Sequence, residues 1–155
     1  MPGCGKSTVG VLLAKRLGFH FVDTDLFIQA GEGKSLQWLI EEYGMGRFGE
    51  IECQYIQRLD IKDAVIATGG SVVYYDKGMK HLQNTGSIIY MQLPLGELEK
   101  RLGNLNARGV VLEPGESLAS LYERRIWLYE KWADRIINLS GLGHEQSVEA
   151  IFSVL

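Results

Sequence analysis

The run Met1-Pro2-Gly3-Cys4-Gly5-Lys6-Ser7-Thr8 constrains the fold of this chain more than any other stretch. From its second position onward it matches G-x-x-x-x-G-K-[ST], a loop whose glycines let backbone N–H groups converge on phosphate oxygens with no Cβ in the way. Val9, Leu12, Leu13 and Leu17 follow on one helical face, and Gly18 closes the segment. The loop therefore opens an α-helix whose positive end points at the same anion. Such a loop links a strand to a helix in a parallel sheet, which sets the class as α/β. Lys6 would bring charge to the terminal phosphates of a nucleotide, and the Ser7 hydroxyl would serve as a ligand to Mg²⁺.

The rest of the chain fits that class. Short apolar runs at 19–22, 64–67, 87–93 and 135–139 read as strands. Helical patterns lie between and after them, at 36–43 with Ser35 as N-cap, at 47–59, 76–83, from 95 to 102, from about Ser117, itself a cap, to about Trp132, and from His144 to the end. Periodicity stops between Gly103 and Gly115, and a loop of that length in a compact domain reads as a lid. We therefore read residues 1–155 as one domain, a three-layer sandwich with a parallel sheet and helices on both faces. The strand that should feed the phosphate loop is not in the sequence before Met1. In this topology it lies mid-sheet, so the first strand is expected to be missing and the chain to be poorly stable as written.

Composition narrows the function classes. At 46% hydrophobic residues with a net charge of -3, the chain can bury a core, and it lacks the basic face that tracks nucleic-acid phosphates. Two cysteines cannot build a disulfide framework or a four-cysteine zinc site. The three histidines share no ligand spacing. No apolar run approaches the ~18 residues of a membrane span, and no signal peptide is seen. The expectation is a cytoplasmic monomer acting on a small molecule, with no nucleic-acid or membrane partner. Trp38, Trp127 and Trp132 are read as packing anchors, and Tyr74-Tyr75 as cover at a strand end.

Asp23-Thr24-Asp25 closes the second strand region, Thr68-Gly69-Gly70 follows the next strand, and Arg125 to Asp134 lies late in the chain. With the phosphate loop, these segments resemble the shikimate kinase family, small P-loop kinases with a parallel sheet, a substrate-binding region and a lid. The resemblance implies transfer of the γ-phosphate of ATP to the 3-hydroxyl of shikimate in aromatic amino-acid synthesis, with ATP and Mg²⁺ as cofactors. It also implies roles. Gly3, Cys4, Gly5, Lys6, Ser7 and Thr8 form the nucleotide phosphate loop, with the Cys4 thiol a bystander. Asp23 joins Ser7 near Mg²⁺, and Asp25 holds the substrate hydroxyls and orients one for attack; the competing reading of this pair is a solvated strand-to-helix turn with Asp as cap. Arg108 is the lid arginine that reaches ATP and the transferring phosphoryl group, and Arg101 is a second nucleotide-side arginine. Gly69 and Gly70 approach the substrate, Glu52 is the matching acid of the substrate region, and Arg125 binds the carboxylate through its bidentate fork.

The chain departs from that family at four places. Ser71 stands where the family has a third glycine, Gly109-Val110-Val111 replaces Pro-Leu-Leu after the lid arginine, and Trp127 replaces a proline. The family's F-R-x-x-E reads Phe48-Gly49-Glu50-Ile51-Glu52 here, so one carboxylate-binding arginine is gone. Arg47 is too far round the helix to replace it, and Gly49→Arg is expected to restore the grip if the pocket has room. These departures keep alternatives open: a related kinase for another polyol or sugar acid, or a non-catalytic nucleotide-binding relative.

Overall fold

The computed structural model describes residues 1–103 and 115–155. Gly5 adopts φ 94°, a left-handed conformation suited to glycine, and launches α1 (Lys6–Leu17). That helix ends at Gly18, whose N–H returns to the Ala14 carbonyl. Strand β1 (His20–Asp23) runs into α2 (Thr24–Glu32) with Asp23 as N-cap. The Ser35 side chain caps α3 (Leu36–Gln57) by accepting from the Trp38 amide at 3.1 Å. The two helices expected around 36–59 join into this one element, but Gly44 at φ 75°, ψ 165° kinks it where the periodicity broke.

Strand β2 (Ala64–Ala67) leads through a 3₁₀ turn at Val72–Tyr74 to α4 (Asp76–Thr85). Strand β3 (Ile89–Gln92), α5 (Leu95–Leu102), α6 (Leu118–Trp132), β4 (Arg135–Asn138) and α7 (His144–Phe152) complete the described order.

The strands form two parallel pairs. In one, His20 to Asp23 stand beside Ala64 to Ala67; in the other, Ile89 to Gln92 stand beside Arg135 to Asn138. Side chains alternate between the faces. Val65, Ile89, Met91 and Ile137 pack against Val9, Leu13, Val148 and Ile151 of α1 and α7. Tyr90 points the other way and stacks on Tyr129 of α6, ring centroids 5.2 Å apart. Helices thus cover both faces, as the three-layer reading requires.

Between β2 and β3 lies a cavity of about 740 Å³ that both strands line, together with Val9, Leu13 and Met1. Among the described residues no strand pairs with the edges that face it. Val65 and Ile66 are accordingly half-buried, where continuous apolar character in β2 predicts full burial. Other expectations also change. Leu12 is exposed rather than in the core, because the buried stripe of α1 is centred on Val9 and Leu13. Of the three tryptophans only Trp132 is buried; Trp127 is mostly exposed, and Trp38 lies under the Lys34 ammonium on the surface.

Candidate active site

The phosphate loop and its surroundings enclose a cavity of about 760 Å³ lined by Gly3, Gly5, Lys6, Ser7, Thr8, Lys100, Arg101, Leu142, Gly143 and His144. Five of the six loop residues expected to bind nucleotide, and Arg101, thus share one space. Cys4 does not join them. Its side chain is buried with Met1, Leu93 and Leu98 beneath the loop. Burial is the largest influence and opposes ionisation of its thiol, but the Lys6 ammonium, the chain's amino terminus and hydrogen bonds from both together outweigh it and bring the pKa below the ordinary value. Lys6 Nζ donates to the Met1 carbonyl at 3.0 Å, which keeps the ammonium folded over the loop. Arg101 reaches the Leu142 carbonyl at 3.5 Å and so ties α5 to the loop before α7. Arg108 and nearly all of the expected lid at 103–115 lie outside the described residues.

Asp23 has two roles at once. Its Oδ1 accepts the Asp25 amide at 3.0 Å as a helix cap, while its Oδ2 accepts the Ser7 hydroxyl at 2.6 Å. The loop and the strand end are thereby brought together, presenting two hard oxygens at the cavity mouth. That donor set suits Mg²⁺, which takes one or two protein oxygens and completes its shell with phosphate and water. Among the described residues no cluster of three or more His, Cys, Asp or Glu offers a closed metal cage.

Gly69 and Gly70 are the hub of the second half of the site. The Gly69 amide donates to Thr24 Oγ1 at 3.0 Å, which anchors it to the start of α2. A Cβ on Gly69 would overlap Glu52 Oε1 and stand 3.0 Å from Asp25 Oδ1; one on Gly70 would stand 3.0 Å from Arg125 Nη1. Two carboxylates and a guanidinium therefore flank consecutive residues, as the substrate assignment of Asp25, Glu52, Gly69, Gly70 and Arg125 requires. Tyr129 Oη donates to the Gly70 carbonyl at 2.8 Å and fixes the turn.

Charge in this pocket is only partly compensated, with Arg125 and Lys6 acting on Glu52 from a distance. Glu52 is fully buried; it accepts the Ser71 hydroxyl at 2.6 Å on Oε2, while Oε1 has no hydrogen-bond partner among the described residues. Burial, reinforced by Asp25 and resisted by the Ser71 hydrogen bond, raises its pKa to about 7. Burial and then Asp23 also push the Asp25 carboxyl upward. Arg125 is 5% exposed, donates Nε–H to Tyr74 Oη at 3.1 Å, and has no ion-pair partner among the described residues. Its neighbour Arg124 instead faces outward to Glu116 at 2.5 Å, as a 100° helical offset predicts. Arg47 is held by Glu50, so it does not replace the arginine absent at position 49.

Tyr129 and the Leu142-Gly143-His144 turn enter the site although sequence reasoning gave them no role in it; of these the turn had a readable signal, since Gly141 and Gly143 precede a helix start as glycines do at the phosphate loop. Ser71, read as standing in place of a third substrate-side glycine, and Tyr74, read as cover at a strand end rather than as substrate lining, enter it too.

A phosphate loop at a helix start, an oxygen pair for a divalent cation, and an acid-and-arginine acceptor pocket on a parallel α/β sheet define a P-loop phosphotransferase of small molecules. The shikimate kinase family model matches residues 2–155. A shikimate kinase of Thermodesulfovibrio yellowstonii is 38% identical over 152 residues, covering 96% of this chain and 87% of that protein. The solved shikimate kinase from Acinetobacter baumannii in complex with shikimate superposes with a TM-score of 0.89 at 28% identity, covering 98% of this chain and 87% of that one. The enzyme from Aquifex aeolicus gives 0.84 at 27% identity, covering 99% and 90%. The chain belongs to the shikimate kinase family.

Proposed function

We propose that this chain transfers the γ-phosphate of ATP to the 3-hydroxyl of shikimate, and that the residues gathered above divide the work. Lys6 and the loop amides hold the phosphates, while Arg101 closes one side of the nucleotide cavity. Arg108, matched by resemblance, brings a further charge to the transferring group. Ser7 and Asp23 would hold Mg²⁺, which would supply positive charge to offset that of the phosphates. Asp25 orients the attacking hydroxyl, and its upward-shifted pKa suits it to take the proton late in the transfer. Arg125 receives the substrate carboxylate.

The observation that carries this reading is the Gly69-Gly70 hub, which sets a carboxylate and a buried guanidinium with no ion-pair partner among the described residues side by side. A hydroxylated carboxylic acid complements both. A phosphorylation assay offering shikimate, gluconate and nucleosides tests it, and preference for an acceptor without a carboxylate would refute it. We also read the chain as one domain, monomeric and cytoplasmic, without a nucleic-acid partner; sizing chromatography tests the monomer. Among the described residues no helix is long and apolar enough to cross a membrane. The stretch 103–115 acts as a lid in this proposal, and hydrogen exchange there should slow when an ATP analogue binds.

A further inference from the structure

The Tyr75 ring crosses to α3 so closely that a Cβ built on Gly49 would overlap its phenol oxygen. The missing arginine at 49 and the tyrosine at 75 are therefore a single structural fact. No larger side chain fits at 49 unless the ring leaves, and the expected gain from Gly49→Arg alone is corrected on this ground. The ring sits beside the turn of α3 that carries Glu52. The neighbouring Tyr74 takes the Nε–H of Arg125, so the tyrosine pair spans from the acid to the guanidinium. Tyr75 is half-buried, and its hydroxyl has no hydrogen-bond partner among the described residues. Burial, then Glu52 and Glu50, push its pKa up, so the oxygen keeps its proton and remains a donor.

Building on the proposed acceptor, we infer that Tyr75 is a specificity-determining residue that donates its hydroxyl to the substrate carboxylate from beside the Gly49 backbone, at the root of the side chain that a second arginine would extend. Arg125 and Tyr75 then hold that carboxylate with one full charge and one neutral donor. This avoids crowding two cations into a pocket where each would lose hydration.

Steady-state kinetics of the wild type and Tyr75→Phe with shikimate, its methyl ester and ATP test the inference. Phenylalanine keeps the ring and removes only the donor. KM for shikimate should rise about tenfold, as loss of one hydrogen bond to a charged group predicts. KM for ATP should hold, and the preference for acid over ester should narrow by a similar factor. A Tyr75→Ala, Gly49→Arg double variant should recover shikimate KM relative to Tyr75→Ala alone, because the cleared space admits the arginine. An unchanged shikimate KM in Tyr75→Phe, or equal losses for acid and ester, would overturn the inference while leaving the enzyme a shikimate kinase. A wild type that ignores shikimate but phosphorylates another alcohol would overturn both.

Discussion

Arg125→Met removes a charge that α6 holds buried beside Gly70 with no carboxylate against it among the described residues. The folded protein loses the hydrogen bond to Tyr74, worth about 0.5–1.5 kcal/mol net. It is also relieved of an isolated cation whose effective desolvation penalty is on the order of several kcal/mol. Methionine keeps much of the apolar stem, so packing is largely conserved. The two effects oppose each other, and stability should stay level or rise by about 1 kcal/mol, a few degrees in Tm for a chain of this size. Binding moves the other way. A substrate carboxylate deprived of its buried guanidinium should lose roughly 2–5 kcal/mol, or about thirtyfold to several thousandfold in KM for shikimate. Thermal unfolding and steady-state kinetics on the same preparation measure both halves. A melting point lowered by about ten degrees with KM for shikimate unchanged would show that Arg125 supports the fold and does not bind the acceptor.

Three further outcomes follow from the site. Lys6→Ala should leave the melting transition near that of the wild type while turnover falls below detection, since among the described residues the ammonium's hydrogen bonds stay within the loop, to the Met1 carbonyl and the Cys4 sulfur; wild-type rates would remove the phosphate-loop assignment. Gly69→Ala should lower stability by about 1–3 kcal/mol and raise KM for shikimate, because its methyl group overlaps Glu52 and crowds Asp25; calorimetry and kinetics read the two effects, and a silent variant would contradict the hub geometry. Glu52 is an acid whose folded pKa is raised to about 7, so it contributes stability that is full below about pH 4.5 and lost as pH climbs through 7. Glu52→Gln should flatten that decline and stabilise the protein at pH 8 by up to about 3 kcal/mol, and a denaturation series from pH 5 to 8 with parallel curves for both proteins would refute the shift.

Much of this was legible in the sequence, for local reasons. The phosphate loop, the Asp23 turn and the Ser35 and Ser117 caps depend on residues a few positions apart, so their spacing carries the geometry. The dual use of Asp23 was half legible: capping and a place near Ser7 were each readable, but as competing readings rather than one arrangement. The acceptor pocket was reached through resemblance, because Asp25, Glu52, Gly69 and Arg125 are brought together only by tertiary packing. What stayed hidden was side-chain volume between distant segments. Nothing in the string Phe48-Gly49-Glu50 announces that Tyr75 fills the space above it, or that Ser71 hydrogen-bonds Glu52. Burial of strands failed for a similar reason, since an apolar run reports affinity for a core and not whether a neighbour stands on each side.

The Asp23 carboxylate has a mechanical meaning. Its Oδ2 holds the Ser7 hydroxyl of the phosphate loop while its Oδ1 holds the Asp25 amide. The donor and acceptor ends of the site are thus riveted through one side chain at the junction of β1 and α2. Thr24 Oγ1 clamps the Gly69 amide to the same junction, and Tyr129 Oη clamps the Gly70 carbonyl to α6. In-line transfer is steeply sensitive to displacements of about an ångström, so the fit of these rivets governs the path from attacking oxygen to phosphorus. Thr24→Val, which nearly keeps the shape and frees the Gly69 amide, should lower kcat while both KM values hold. Alignment of the two substrates thus becomes a property of a buried residue that touches neither.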